Sequence, residues 1–129
     1  LSGYGEVLVR VGKVEKGLEL LNKAFDLDPI PQGQSTSDNR VKDLILGYFF
    51  AEDFNKVVEL SFDIRVMDTR SLALILYSRA KLNQDIKTSN EYKLFVDDFK
   101  DTNWEQVIDR FHIQDKKVIN NLLDFILKI

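Results

Sequence analysis

A chain of 129 residues without a cysteine is long enough to bury a core, and it holds neither a disulfide framework nor a thiolate metal site. Its net charge of −3 arises from 18 basic and 21 acidic residues that are interspersed, which leaves no basic stripe for nucleic acid. No apolar run approaches the roughly 20 residues of a membrane span and no secretory signal is visible; with no cysteine, a reducing cytoplasmic setting is expected.

The first helix is expected over residues 1–11, with Tyr4, Leu8 and Val11 on one stripe and Gly12 as its stop. A second runs from Val14 to Leu27, with Val14, Leu18, Leu21, Ala24 and Phe25 inward and Glu15, Lys16, Glu19 and Lys23 in water. Pro29 and Pro31 end it, and residues 29–39, rich in Ser, Gly, Gln and Asn, read as an exposed loop. Helices follow over about 37–50 and 53–66. A fifth, over about 70–82, is apolar through Leu72, Ala73, Ile75, Leu76 and Ala80, with Asn83-Gln84-Asp85 as its turn.

Thr88 and Glu91 stand at capping-box spacing before a stripe of Tyr92, Phe95, Val96 and Phe99. Thr102 and Glu105 repeat that spacing ahead of Trp104, Val107, Ile108 and Phe111. Asp115 is placed to cap a last helix carrying Val118, Ile119, Leu122, Leu123, Phe125, Ile126 and Ile129. Those apolar positions exceed what one stripe of a lone surface helix needs, so this helix is expected to fold back on the third hairpin. No alternating run reads as a strand, and the fold class is all-α.

Two stretches repeat one helix-turn-helix plan. Gly12-Lys13-Val14 and Glu52-Asp53-Phe54 are matching turns, each followed three residues later by Gly17 or Val57. Repetition over a few tens of residues implies stacked hairpins that bury their apolar faces on one another. With Pro29 as the terminal proline, Leu1, Tyr4, Gly5, Leu8, Gly12, Gly17, Leu21 and Ala24 fall on signature positions, and the first unit resembles the tetratricopeptide repeat. The second unit keeps Val41, Leu44, Ile45 and Tyr48, but has Val57, Ser61, Ile64 and Thr69 where the family has small, aromatic, small and proline residues. Its spacing exceeds the family's period of about 34 residues, and the surplus falls in the 29–39 linker.

The resemblance implies a tetratricopeptide-type solenoid of two to three hairpins, at about residues 1–28, 37–66 and 70–99, with a C-terminal helical cap over 102–129. The order Trp104, Phe111, Ile113, Asp115, then Leu122, Leu123 and Phe125 also resembles the tail of bacterial proteins that join such repeats to a nucleotide-cyclase or DNA-binding domain. There the tail ends in a Leu-Arg-Lys-Ala-Gly-like sequence, whereas this chain ends Phe125-Ile126-Leu127-Lys128-Ile129. Without an initiator methionine before Leu1, the chain reads as a piece of a longer protein.

Catalytic motifs fail on spacing. Gly3-Tyr4-Gly5 lacks the third glycine of a dinucleotide loop, because Leu8 stands there. Gly12-Lys13 is followed by Val14 where a phosphate loop needs Ser or Thr. Both read as turn glycines. His112, the sole histidine, lies between Phe111 and Ile113 in an inter-helix link. Asp97, Asp98, Asp101, Glu105 and Asp109 lack the glycine and closing acid of a calcium loop, and read as solvated-face charges. Neither metal nor cofactor is expected.

The function expected from the resemblance is non-enzymatic: a module that seats a peptide or helix of a protein partner on its concave face. The first helix of each hairpin lines that face in the family, which points to Glu6, Arg10, Lys42, Leu46, Phe49, Tyr77 and Lys81, with Val9, Asn39, Phe50 and Ala73 beside them. Tyr48 and Phe54 are placed inside their own hairpin. Coverage of Phe49 and Phe50 by the following hairpin or the C-terminal helix is the competing reading. The Lys and Asn set that clamps a chaperone tail's carboxylate is missing. The alternative function is structural docking or self-association within a larger cyclase-like or transcription-regulatory protein.

Overall fold

Three helix ends close with the same pair of backbone hydrogen bonds. Gly12 N–H donates to Val9 O at 3.1 Å and Lys13 N–H to Leu8 O at 2.8 Å; Glu52 and Asp53 repeat this on Phe49 and Tyr48, and Asn83 and Gln84 on Ala80 and Arg79. The residue just past each helix cap is left-handed, with φ of 93° at Gly12, 61° at Glu52 and 59° at Asn83. This is the Schellman ending, which satisfies carbonyls that a helix terminus otherwise leaves unpaired. The same ending thus recurs at Gly12, Glu52 and Asn83.

The computed structural model describes residues 5, 8, 9, 12–27 and 34–129, giving only the backbone of 24–27 and 34–38. Among these, the elements are α1 (Val14–Leu27), α2 (Gln34–Phe50), α3 (Phe54–Ser61), α4 (Thr69–Lys81), α5 (Asn90–Leu94), α6 (Trp104–Asp109) and α7 (Lys116–Lys128). A 3-10 turn at Ile86–Thr88 precedes α5, and α5 runs on as a π-helical turn, Phe95–Phe99. Every described element is helical. The expected first helix falls within the described residues only at Gly5, Leu8 and Val9, all helical; Tyr4, Glu6, Arg10, Val11, Pro29 and Pro31 lie outside them.

Gly5 is helical rather than a turn glycine, and it faces Gly17 of α1. A Cβ on Gly5 would stand 2.8 Å from the Gly17 carbonyl oxygen, and one on Gly17 would stand 2.7 Å from that of Gly5. Only glycine admits backbones this close. Next along the stack, Asn22 Nδ2 donates to Tyr48 Oη at 3.3 Å, tying α1 to α2. α2 packs on α1, α3 and α4.

α4 is the centre of the molecule, touching α2, α3, α5, α6 and α7. Its residues 71–76 are all buried, which suits a helix apolar on every side. Asp68 caps it, accepting from Ser71 N–H at 2.9 Å. The buried Ser78 hydroxyl is satisfied by Leu74 O at 2.7 Å. The last helix does fold back: α7 packs on α4 and α6, burying Leu122 and Ile126 completely beside Trp104, Ile108 and Phe111. Asp115 caps it through Lys117 and Val118 N–H, as the sequence predicts.

Other boundaries move for local reasons. The helical backbone starts at Gln34, inside the expected loop. α3 stops at Ser61 rather than Val66, because Phe62, Asp63 and Ile64 tighten into i→i−3 hydrogen bonds on Glu59, Leu60 and Ser61. Ser89, not Thr88, caps α5 through Tyr92 N–H at 3.1 Å. Thr88 instead turns its hydroxyl to Asp85 O, and Glu91 is taken by Arg79. Asn103, not Thr102, caps α6 through Gln106 N–H at 3.2 Å, since Thr102 N–H still bonds Phe99 O. The widened π turn rotates the stripe, leaving Val96 exposed.

Candidate functional site

Beside the turns at Gly12 and Glu52 and the end of α4 at Lys81, a cleft of about 650 Å³ opens towards the C-terminal segment. Such a volume lies within the roughly 300–1,000 Å³ of ligand sites. One side comes from the first hairpin, at Val9, Gly12 and Val14; a second comes from Phe49, Phe50, Glu52, Phe54, Tyr77 and Lys81. The cap completes it with Ile113, Asp115, Lys117, Val118 and Asn121.

The floor is an aromatic cluster. Phe49, 3 % exposed, meets the rings of Phe50, Phe54 and Tyr77 edge-on, at 5.3, 5.9 and 5.4 Å between centroids. Tyr77 also meets Phe125 of α7 edge-on at 5.4 Å, so the C-terminal helix braces the cluster from behind. Edge-to-face pairs contribute about 0.5–1.5 kcal/mol each beyond burial, which rigidifies the wall. Phe50, Phe54 and Tyr77 remain only half-buried and present apolar surface to the cleft.

Four charged side chains stand on the rim. Lys81 Nζ lies 5.4 Å from the Tyr77 ring centroid, a cation–π contact. Asp115 is committed to capping α7, with Lys117 N–H at 3.1 Å. Glu52 and Lys117 are exposed, and no ion pair engages either among the described residues.

The structure divides the residues expected on one concave face. Phe49, Tyr77 and Lys81 border the cleft together, with Val9 and Phe50. Phe49 is nevertheless a core residue beneath the wall, covered by the following hairpin as the competing reading has it. Lys42 and Leu46 border a separate small recess with Asp68, Leu74 and Phe111. There Lys42 pairs with Asp68 at 3.6 Å, and Leu46 is only 5 % exposed. Ala73 is fully buried. The segment after α6 reaches this recess, where its buried Phe111 joins Leu46 of α2 and Leu74 of α4. Glu6 and Arg10 lie outside the described residues.

Phe54, placed inside its hairpin by sequence, reaches the cleft, and Ile113, Lys117, Val118 and Asn121 were not foreseen there. The one signal for the last four was the surplus of apolar positions in the C-terminal helix, which required a docking surface. His112 is exposed in a left-handed turn, φ 52°, between buried Phe111 and Ile113. Asp97, Asp98, Asp101, Glu105 and Asp109 are all exposed. Among the described residues no three His, Asp or Glu side chains gather as metal ligands, and no helix is long and apolar enough to cross a membrane. Comparison of the chain with protein-family models, curated proteins and solved structures gives no match.

Proposed function

We propose that the chain is a non-enzymatic, cytoplasmic interaction module of tetratricopeptide type, and that it seats a peptide or helix of a protein partner in the cleft. The aromatic wall of Phe50, Phe54 and Tyr77, half-buried and braced from behind, carries this reading. The solenoid assignment is supported by the repeated Schellman endings at Gly12, Glu52 and Asn83, by the Gly5–Gly17 crossing, and by the adjacency of α2 and α4. Anchoring would follow the usual pattern of a few aromatic side chains holding most of the binding energy.

Peptides selected on the chain by phage display provide the test. Phe50→Ala should weaken their binding by about 2 kcal/mol, as loss of an aromatic anchor does, while the fold persists. Unchanged binding would overturn the cleft as the site. A second reading, docking or self-association, is favoured by Phe62 and Val66, which are 77 % and 59 % exposed in the loop after α3. Light scattering separates the two. A concentration-dependent dimer abolished by Phe62→Ser would establish the second reading.

A further inference from the structure

A smaller recess, of about 240 Å³, opens where α6 meets the start of α4, and the only charged residues lining it are basic. Four residues line it: Thr69 and Arg70 from the first turn of α4, and Val107 and Arg110 from α6 and its end. None of them borders the cleft. Arg70 and Arg110 are both exposed, and no ion pair engages either among the described residues. Asp109, next to Arg110 in the chain, is exposed and does not line the recess. Asp68, next to Arg70, is held elsewhere: its Oδ1 accepts from Ser71 N–H at 2.9 Å, and its Oδ2 lies 3.6 Å from Lys42 Nζ.

Two cations at one small recess repel each other, an arrangement that folding does not favour. Arg70 also stands against the helix dipole, since the first turn of a helix favours acids and α4 has none there. An anion between the two side chains offsets both costs, and the donors indicate its class. A guanidinium presents a planar fork of N–H groups that matches two oxygens of an oxyanion, and it keeps its charge. One fork is enough for a carboxylate, with its two oxygens and single charge. Two forks match a group with at least three oxygens and two negative charges. The Thr69 hydroxyl adds a neutral donor to the wall. The recess falls below the roughly 300–1,000 Å³ of sites that enclose a whole ligand, so it suits one group rather than a large molecule.

We infer that this recess binds a phosphate monoester, clamped by Arg70 and Arg110, with Thr69 as a further donor and Val107 as the apolar side. The group arrives on a phosphorylated side chain of a protein or on a small phosphorylated molecule, and the recognising chemistry is the same for both.

Titration of the whole chain, followed through the arginine Nε–Hε signals by NMR at pH 7 and fixed ionic strength, tests this. A phosphate monoester then carries a charge of about −1.5 to −2. Phenyl phosphate should shift the Arg70 and Arg110 signals together and saturably. It should bind about tenfold more tightly than phenyl sulfate, which has a similar shape and a single charge. Arg70→Gln and Arg110→Gln should each abolish the saturable shift at the remaining arginine. Arg70→Gln also relieves the dipole conflict, so its melting temperature should hold and separate lost binding from lost fold. A short phosphoserine peptide that binds more tightly than phenyl phosphate would assign the group to a protein side chain; equal or weaker binding would assign it to a small molecule. Equal affinity for phenyl phosphate and phenyl sulfate, saturable shifts confined to other residues, binding that survives both substitutions, or no saturable binding at all would each overturn the inference.

Discussion

The two ends of the molecule are held together by opposite means. At the first hairpin, helices cross through glycine: a Cβ on Gly17 would stand 2.6 Å from Val9 Cγ2 as well as 2.7 Å from the Gly5 carbonyl oxygen. At the cap, helices are spaced by large side chains, with Phe95 against Trp104 at 5.7 Å and Phe111, Ile108, Leu122 and Ile126 fully buried around them. Backbone contact tolerates no added atom, because a carbonyl cannot turn aside. Side-chain contact tolerates exchange of shape, but fails when a whole element is removed. The weak point of the first region is therefore a single methyl group, and that of the second is a helix.

Deleting the chain from Asp115 onward should have the largest effect. It uncovers Phe111 and Ile108 and removes the buried Leu122 and Ile126, each worth about 1.5–3 kcal/mol, against a total stability of roughly 5–15 kcal/mol. The expected result is an aggregating or partly unfolded chain. A soluble truncated monomer with an unchanged melting temperature would show that the cap is not structural, and the contrast would collapse.

Gly17→Leu comes next, at about 3 kcal/mol in denaturant titration, because its Cβ would already stand 2.7 Å from the Gly5 carbonyl oxygen and 3.0 Å from Val9 N of the facing helix. A midpoint equal to the parent's would remove the close crossing from the account. Ala24, which falls on a signature position of the resemblance, has its side chain outside the described residues.

Glu91→Ala probes the third hairpin, where an ion pair takes the place of a glycine. Arg79 Nη2 and Nε donate to Glu91 Oε1 at 2.8 and 3.1 Å, and the two side chains are 15 % and 10 % exposed. Removing the carboxylate should cost about 2 kcal/mol, less than for a fully buried pair because water reaches the remaining guanidinium. The loss should be smaller still in Arg79→Ala, Glu91→Ala together than the sum of the single changes, as a double-mutant cycle will register. Additive losses would mean that the two groups do not interact.

Gly47→Ala should have the smallest effect of the four, about 1 kcal/mol. Its Cβ would come 2.5 Å from Leu18 Cδ2, which is the far end of a side chain and able to move. If Gly47→Ala proved as damaging as Gly17→Ala, the distinction between backbone and side-chain crossings would be wrong.

Much of the helical plan was legible in the residues. The span Val14–Leu27, the end of α2 at Phe50 and the cap at Asp115 follow from signals within one turn of each terminus. Where two polar residues stood side by side, sequence named the wrong one: Ser89 and Asn103 cap where Thr88 and Thr102 were expected. A cap is chosen by which oxygen reaches a free N–H, and that depends on how the preceding turn ends. The candidate cleft was half legible. Phe49, Tyr77 and Lys81 were named from the repeat register, but the separation of Lys42 and Leu46 from them was hidden.

The sequence by itself determined that the described residues are helical, where most helices begin and end, and that a residue without a Cβ stands at Gly17. These depend on contacts within a few residues or on the absence of a Cβ, and both are written locally. Only the tertiary structure decided that Phe111 and Leu46 border one recess, that Phe125 braces Tyr77, and that Ile113 and Lys117 join Phe50 and Phe54 around one cleft. Those pairings join positions far apart in the chain. An apolar stripe states that a face must be covered, but many partners satisfy that demand equally well, and only packing the whole chain selects among them.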